Sequence, residues 1–314
     1  MVVRFWGVRG SIPTPITQSQ IQSKIAAIVQ RIQPKDLVSQ EAREEFLANL
    51  PKYLMGTVGG NTTCIEVRLS DNNIIIFDCG SGIRELGNSM KNQPDYVREY
   101  NIFFTHFHWD HLQGLPFFIP QAYDPRCGLN FHSPRKEYRG FLEEQMKNPY
   151  FPVTMDALNA KKTFTHLAKQ PQKIGNGNVF WRPMKHPGGC FAYKIVENGK
   201  TMIFSTDTEL IERDFIKNEE NKRFFEGVDL LILDSQYTLD EAIEKYDWGH
   251  SSYSLAVDFA AAWNIKKLVL FHHEPQYNDK KLYSILNSAS WYLQHLEKKD
   301  IEIFLARENL EIRL

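Results

Sequence analysis

Residues 105–111 read Thr-His-Phe-His-Trp-Asp-His, and no other stretch limits so strongly what the chain can become. Three imidazoles and a carboxylate, from His106, His108, Asp110 and His111, fall within six residues, directly after the apolar run Ile102-Phe103-Phe104. Only 10 of the 314 residues are histidine, so composition does not produce this clustering. A strand running Ile102 to Thr105 would send His106 and His108 to one side, because alternate residues of an extended chain share a face. Asp110 and His111 follow where the chain turns into a helix and address the same pocket from a second direction. Imidazole with carboxylate suits zinc, iron or manganese better than calcium or magnesium. A solvated polar loop would leave that spacing without a cause. The stretch predicts a metal site, and by its donor count one for two metals.

Composition narrows the partners. The chain is 42% hydrophobic and 24% charged, ordinary values for a globular protein with ample core. The formal net charge of -1 supplies no general attraction to polyanions, which weighs against long nucleic acid as partner. Cys64, Cys79, Cys127 and Cys190 form no close-spaced pair and read as small buried hydrophobes in a reducing compartment. The start, Met1-Val-Val-Arg-Phe-Trp, lacks the apolar core of a signal peptide, and no run of about 18 apolar residues is present to span a membrane. The expectation is a cytoplasmic protein.

Val2 to Val8 reads as a first strand, followed by the turn-rich Arg9-Gly10-Ser11-Ile12-Pro13. From about 17 to 55 the pattern turns helical: Ile21, Ile25, Ile28, Val29 and Ile32 share a face, and Ser39 opens a second helix after Pro34. This is a helical insertion, structural or a lid, in a single domain covering 1–314. Strands return at Cys64–Leu69 and Ile74–Phe77, the latter ending in Asp78, with a helix from Ile83. Residues 121–180 are mixed. A hairpin around Asn198-Gly199 joins Phe191–Ile195 to Thr201–Phe204. Further strands fall at Leu230–Leu233, Lys267–Phe271, Ile301–Leu305 and Leu310–Leu314, with an amphipathic helix over 252–263. Such an order fits a layered α/β domain.

Two metals about 3.5–4 Å apart need more donors than the motif holds. Candidates sit where strands end or begin: His186, Asp207, and His272 or His273. Each is weak alone, since a strand-end Asp commonly forms a turn and a lone His commonly serves structure. Together they complete the ligand count. Trp109, Phe107 and Tyr237 are aromatic candidates for stacking a base, and Arg9, Arg84 and Lys185 are cations near motif residues, with core packing and surface charge as their plainer readings.

With those residues in view, Thr105-His-x-His-x-Asp-His111 resembles the signature of the metallo-β-lactamase fold hydrolases. The likeness covers nearly the whole chain and lies toward the ribonuclease Z and phosphonate-operon phosphodiesterase branch. Gly7-x-x-Gly-Ser-Ile-Pro-Thr14 is similar to its opening glycine-rich loop, and Phe77-Asp78-Cys-Gly-x-Gly82 to its second motif. The resemblance implies a four-layered αββα sandwich with two divalent ions at one edge, zinc foremost and manganese or iron as alternatives. It implies one ion on His106, His108 and His186 and the other on Asp110, His111 and His272, with Asp207 bridging. His272 is preferred to His273 because the family's ligand directly follows the strand. Asp78 would orient the first-motif histidines.

Gly249-His250-Ser251-Ser252 is similar to the His-Ser-Thr loop of ribonuclease Z and the related cyclic nucleotide phosphodiesterases, in which that histidine assists the leaving oxygen. The alternative is a simple helix cap. The implied reaction is phosphodiester hydrolysis by a hydroxide bridging the metals, with His250 assisting departure and Asp110 or Asp207 accepting a proton. Ribonuclease Z carries a protruding arm for transfer RNA between the counterparts of His186 and Asp207. Only about 20 residues lie there in this chain, and they read as a hairpin. A small phosphodiester such as a cyclic nucleotide is therefore preferred to an RNA 3'-end. An ester, lactone or thioester hydrolase and a non-enzymatic diiron sensor are the other readings, and a homodimer follows the relatives' habit.

Overall fold

Fourteen strands among the described residues, 1–91, 98–296 and 300–314 of the computed structural model, form two seven-stranded sheets. In chain order they are β1 (Val2–Gly7), β2 (Cys64–Arg68), β3 (Ile74–Phe77), β4 (Glu99–Phe103), β5 (Gly128–Ser133), β6 (Lys161–His166) and β7 (Gln172–Ile174). Then come β8 (Gly177–Met184), β9 (Cys190–Glu197), β10 (Lys200–Ser205), β11 (Leu230–Asp234), β12 (Lys267–Phe271), β13 (Glu302–Leu305) and β14 (Glu311–Arg313). One sheet has the order β14-β1-β2-β3-β4-β5-β6, the other β13-β12-β11-β10-β9-β8-β7. In each, four strands pair antiparallel and the next three continue parallel.

Strand periodicity sets the layers. Ile75 and Phe77 face the second sheet, while Ile74 and Ile76 face outward into a separate cluster with Ile83, Leu86 and Met90 of the helix Ile83–Met90. Strands buried on both faces read as unbroken apolar runs. Phe77 stacks on Phe204 at 5.1 Å and on Tyr193 at 5.4 Å, and the Tyr193 hydroxyl donates to the Phe104 carbonyl at 2.7 Å. These contacts hold the sheets face to face; Phe77→Ala would cost about 3–5 kcal/mol. The helix Tyr253–Ala262 buries Ala256, Val257, Phe259 and Ala260 against the second sheet. The result is the expected αββα sandwich.

The helical stretch near 17–55 is present as Gln18–Val29, capped by Thr17, and Gln40–Ala48, capped by Ser39. Neither helix has a fully buried residue, and Lys24 ties the first to Asp279. Two readings change. β4 runs Glu99–Phe103 instead of Ile102–Thr105, because the Thr105 N–H leaves the ladder for Asp78. The mixed stretch 121–180 contains β5, β6, the β7–β8 hairpin and the helix Tyr138–Gln145. β6, Lys-Lys-Thr-Phe-Thr-His, is a poorly buried edge strand, so no apolar run marks it. All four cysteines are buried. Among the described residues no helix is long and apolar enough to cross a membrane.

Candidate metal centre

The polar residues gather where the parallel strands end. Just beyond β3, β10 and β12 stand Asp78, Asp207 and His272, with φ of 62°, 47° and 61°. Left-handed backbone at a non-glycine residue costs about 1–3 kcal/mol, and surrounding structure must enforce it. Here it turns each side chain off its strand into one pocket. Asp78 also shapes the motif: it accepts from the Thr105 N–H at 2.8 Å and from the Thr105 hydroxyl at 2.7 Å. Past that anchor His108 immediately precedes the short helix Trp109–Leu112, which aims Asp110 and His111 inward. Gly10 of the glycine-rich loop lies against the His272 ring; a Cβ there would stand 2.6 Å from it.

Two donor groups result. His106, His108, His186 and Asp207 each bring a ligand-type atom within 4.8 Å of the others, and so do Asp110, His111, Asp207 and His272. Asp207 belongs to both: its Oδ1 lies 3.7 Å from His106 Nε2 and from His186 Nε2, its Oδ2 3.1 Å from His111 Nε2 and 3.2 Å from His272 Nε2. Partners on the far ring nitrogens fix the tautomers. His111 Nδ1–H donates to Asp78 at 2.8 Å, His186 Nδ1–H to the Gly249 carbonyl at 2.9 Å, and His272 Nδ1–H to Gln236 Oε1 at 3.2 Å. His106 Nδ1–H donates to the Thr105 hydroxyl at 3.1 Å, whose own proton is given to Asp78. In each ring the Nε2 lone pair then points into the pocket.

That arrangement fits divalent cations. The Nε2 atoms of His106 and His111 are buried with no hydrogen-bond partner. Asp78, Asp110, Asp207 and Asp234 are all buried, and among the described residues none has a Lys or Arg nitrogen within the 4.0 Å of an ion pair. Burying several carboxylates without a cation costs several kcal/mol per charge. Burial disfavours a charged His111, yet Asp110, Asp207 and Asp78 overcome this and hold it well above the ordinary histidine range. The pocket demands positive charge. His106, deeper among imidazoles, is pushed well below that range by burial and its neighbours His111, His186 and His108, although Asp207 opposes them.

His250 stands at the rim. Its Nδ1 donates to Asp234 Oδ2 at 2.6 Å, and its ring stacks on His272 at 5.0 Å. Burial works against its protonation, but the charge and hydrogen bond of Asp234, with Asp207 and Asp110 behind, push it up to about 9. The following helix is capped by the Ser252 hydroxyl, so His250 is not the cap. Asp234, which ends β11, also accepts from the backbone N–H groups of Thr208, Gln236 and Ser251. Asp234 and Gln236 were not among the sequence-derived candidates. The strand-end rule that picked out Asp207 applies equally to Asp234, which directly follows the predicted strand Leu230–Leu233.

Other candidates go elsewhere. His273 is buried with Nε2–H on the Ala306 carbonyl at 2.8 Å, outside both donor groups. Arg9 is buried and donates to the carbonyls of Gly59, Glu274 and Tyr277, and Arg84 pairs with Glu85 on the surface; neither lines a cavity at the site. Lys185 pairs with Glu209 and Asp247. Tyr237 is buried edge-on to His250, and Phe107 packs against Phe104 and Phe141, whereas Trp109 is 80% exposed.

Two mixed sheets flanked by helices, with imidazoles and carboxylates converging at the strand ends, define a metal-dependent hydrolase of the metallo-β-lactamase fold. The model of the β-lactamase superfamily domain matches residues 73–273, and the chain belongs to that superfamily. Ribonuclease Z of Picrophilus torridus is 25% identical over 291 residues, covering 78% of this chain and 87% of the relative. Among solved structures, the metallo-β-lactamase fold protein YhfI from Bacillus subtilis superposes with a TM-score of 0.65 at 15% identity, covering 99% of this chain and 98% of its own. The short form of human tRNase Z gives 0.60 at 18% identity, covering 100% and 99%. These two likenesses concern the fold.

Proposed function

We propose that the protein hydrolyses a small phosphodiester at a two-metal centre. His106, His108 and His186 would hold one divalent ion and Asp110, His111 and His272 the other, with Asp207 shared; zinc is the first candidate. Such ions supply an acidic water near neutral pH and positive charge opposite the phosphoryl oxygens. The chain's own groups do the rest. Asp78, Gln236 and the Gly249 carbonyl fix the ring orientations of His111, His272 and His186. Asp234 holds His250 by Nδ1, which leaves Nε2 facing the mouth, where it would protonate the departing alkoxide. Asp110 or Asp207 would accept the proton of the attacking water.

The observation that carries this reading is the Asp234-held His250 beside the double donor group. Acyl transfer needs no such histidine on the leaving-group side, and a diiron sensor needs none at all. Long nucleic acid was disfavoured by charge, but that exclusion finds no support from relatives named ribonuclease Z, so RNA is the second reading. In favour of a small substrate, β9 and β10 are joined by the two residues Asn198 and Gly199, and nothing protrudes between His186 and Asp207 to grip a folded RNA.

The test is turnover by zinc- or manganese-loaded protein of bis-p-nitrophenyl phosphate, a cyclic-nucleotide panel and a precursor tRNA. Activity on the small diesters alone is expected. No turnover of any of them by protein holding two metals per chain would sink the proposal, and cleavage of the precursor tRNA alone would replace it with the RNA reading.

A further inference from the structure

Three cavities adjoin the site. The smallest, about 380 Å³, is the mouth over Asp110, Asp207 and His250. It shares Phe107, His108 and Trp109 with a cavity of about 860 Å³ on one side, and His250 with a cavity of about 1310 Å³ on the other. The first is walled by Trp109, Phe117, Tyr150 and Phe151, with Gln113 and Arg135 among its polar groups. The second runs between the helices Leu239–Glu244 and Asp279–His295. Ile243 and Tyr246 form one wall; Ser284, Asn287, Ser288 and Trp291, at one-face helical spacing, form the other. Trp109, Tyr150, Ile243, Tyr246 and Trp291 are all exposed, an unusual amount of apolar surface, most of it aromatic, to leave in water around one site.

We propose that the substrate is an acyclic phosphodiester with a bulky planar group on each ester arm: the retained arm lies in the Trp109 cavity and the departing alcohol in the Trp291 cavity. This rests on the phosphodiester reading above and narrows it. The direction follows from His250, which lines the mouth and the Trp291 cavity but not the Trp109 cavity. The oxygen it protonates is on its own side, so the body of the leaving alcohol extends there. Each cavity matches or exceeds the several hundred Å³ that suit a small-molecule group. A cyclic nucleotide carries both ester oxygens on one sugar and fills one cavity at most. A dinucleotide has two bases, and both cavities combine an aromatic face for stacking with amide or hydroxyl groups for a base edge. In the reaction, water gives OH to phosphorus and H to the departing oxygen. The P–O bond on the His250 side breaks, leaving a phosphomonoester in one cavity and an alcohol in the other, with no redox change.

The test compares ratios in the zinc-loaded full chain. Thymidine 5'-p-nitrophenyl phosphate is set against methyl p-nitrophenyl phosphate, which lacks a retained-arm base. Thymidylyl-thymidine is set against thymidine methyl phosphate, which lacks a leaving-arm base. Stacking a base on an aromatic side chain is worth on the order of tenfold to a hundredfold in affinity. The larger diester of each pair is expected to win in kcat/KM by that factor, mostly through KM. Trp109→Ala should collapse the first ratio toward one and Trp291→Ala the second, with the Phe variants restoring part of each. Both tryptophans are exposed, so folding is not at stake. Thymidine 5'-monophosphate, the retained-arm product, should quench tryptophan fluorescence in the wild type and much less in Trp109→Ala. Ratios near one in the wild type, ratios unmoved by the variants, or cyclic AMP outrunning thymidylyl-thymidine would each overturn the two-armed substrate while leaving phosphodiester hydrolysis in place. Absence of turnover with every diester would overturn both.

Discussion

The two sheets share one wiring, four strands antiparallel and then three continuing parallel, yet they supply the site in opposite ways. In the first sheet almost everything comes from the segment after β4, where His106, His108, Asp110 and His111 follow one another. In the second, donors arrive singly: His186 after β8, Asp207 after β10, Asp234 at the end of β11, His272 after β12. The equivalent positions after β3 and β10 are instructive. Both hold an aspartate in left-handed backbone, but Asp207 faces the shared centre and Asp78 turns to the back of His111 and to Thr105. The same strand end thus yields a donor in one half and a support for donors in the other.

Substituting the second-sheet aspartate should have the largest effect. Asp207→Ala removes the carboxylate common to both donor groups, so metal content by plasma mass spectrometry should fall below two per chain, and turnover should drop to background even with added zinc. Retention of two metals would mean that Asp207 does not bridge and that the asymmetry between the halves is illusory. Next comes His250→Ala, expected to lower kcat by about 10²–10⁴-fold with metal content unchanged. A variant that loses metal in step with activity would make His250 a ligand with Asp234 and His272, a grouping their spacing permits.

Smaller effects should separate the two supporting aspartates. Removing a carboxylate that orients a ligand typically costs about 10–100-fold in metal affinity or activity. Asp78→Asn should spend that loss on metal affinity, because its partner His111 is a proposed ligand. Asp234→Asn should spend it on kcat, because its closest partner is His250. Metal titration and steady-state kinetics on both variants would show whether the losses divide this way; equal loss of affinity in both would erase the distinction.

How much of this could be read beforehand depended on distance along the chain. The motif after β4 is contiguous, so local spacing reveals four donors. Asp78 directly follows the apolar strand Ile74–Phe77, and Asp207 comes three residues after Phe204, so both read as strand-end carboxylates. Asp234 directly follows Leu230–Leu233 as well, but its role comes from His250, 16 residues on, and nothing local joins the two. β5 and β6 were missed for a different reason: β5, Gly-Leu-Asn-Phe-His-Ser, has only two large apolar residues, and β6 at the edge hardly buries its own side chains. The cavity walls were the least legible part. Trp109 sits in the motif, but only the fold sets Trp291 opposite Tyr246.

The smallest functional effect should come from His273, the neighbour of the proposed ligand His272. Adjacent residues at a strand end point to opposite sides, and the left-handed backbone at His272 commits its ring to the carboxylates. His273 is left beneath, where its main chain bridges Val8 and Gly10 and its ring serves the Ala306 carbonyl. Burial, with Arg9 close by, pushes this imidazole down to about 3, so it stays neutral throughout the working pH range. His273→Leu keeps the volume and strands one buried carbonyl, a cost of about 1–3 kcal/mol in stability. A lower Tm with full metal content and unchanged kcat is the expected result. Loss of one metal equivalent at normal stability would reverse the choice between the two histidines, and with it the rule that the second sheet places its donor at the residue where the strand ends.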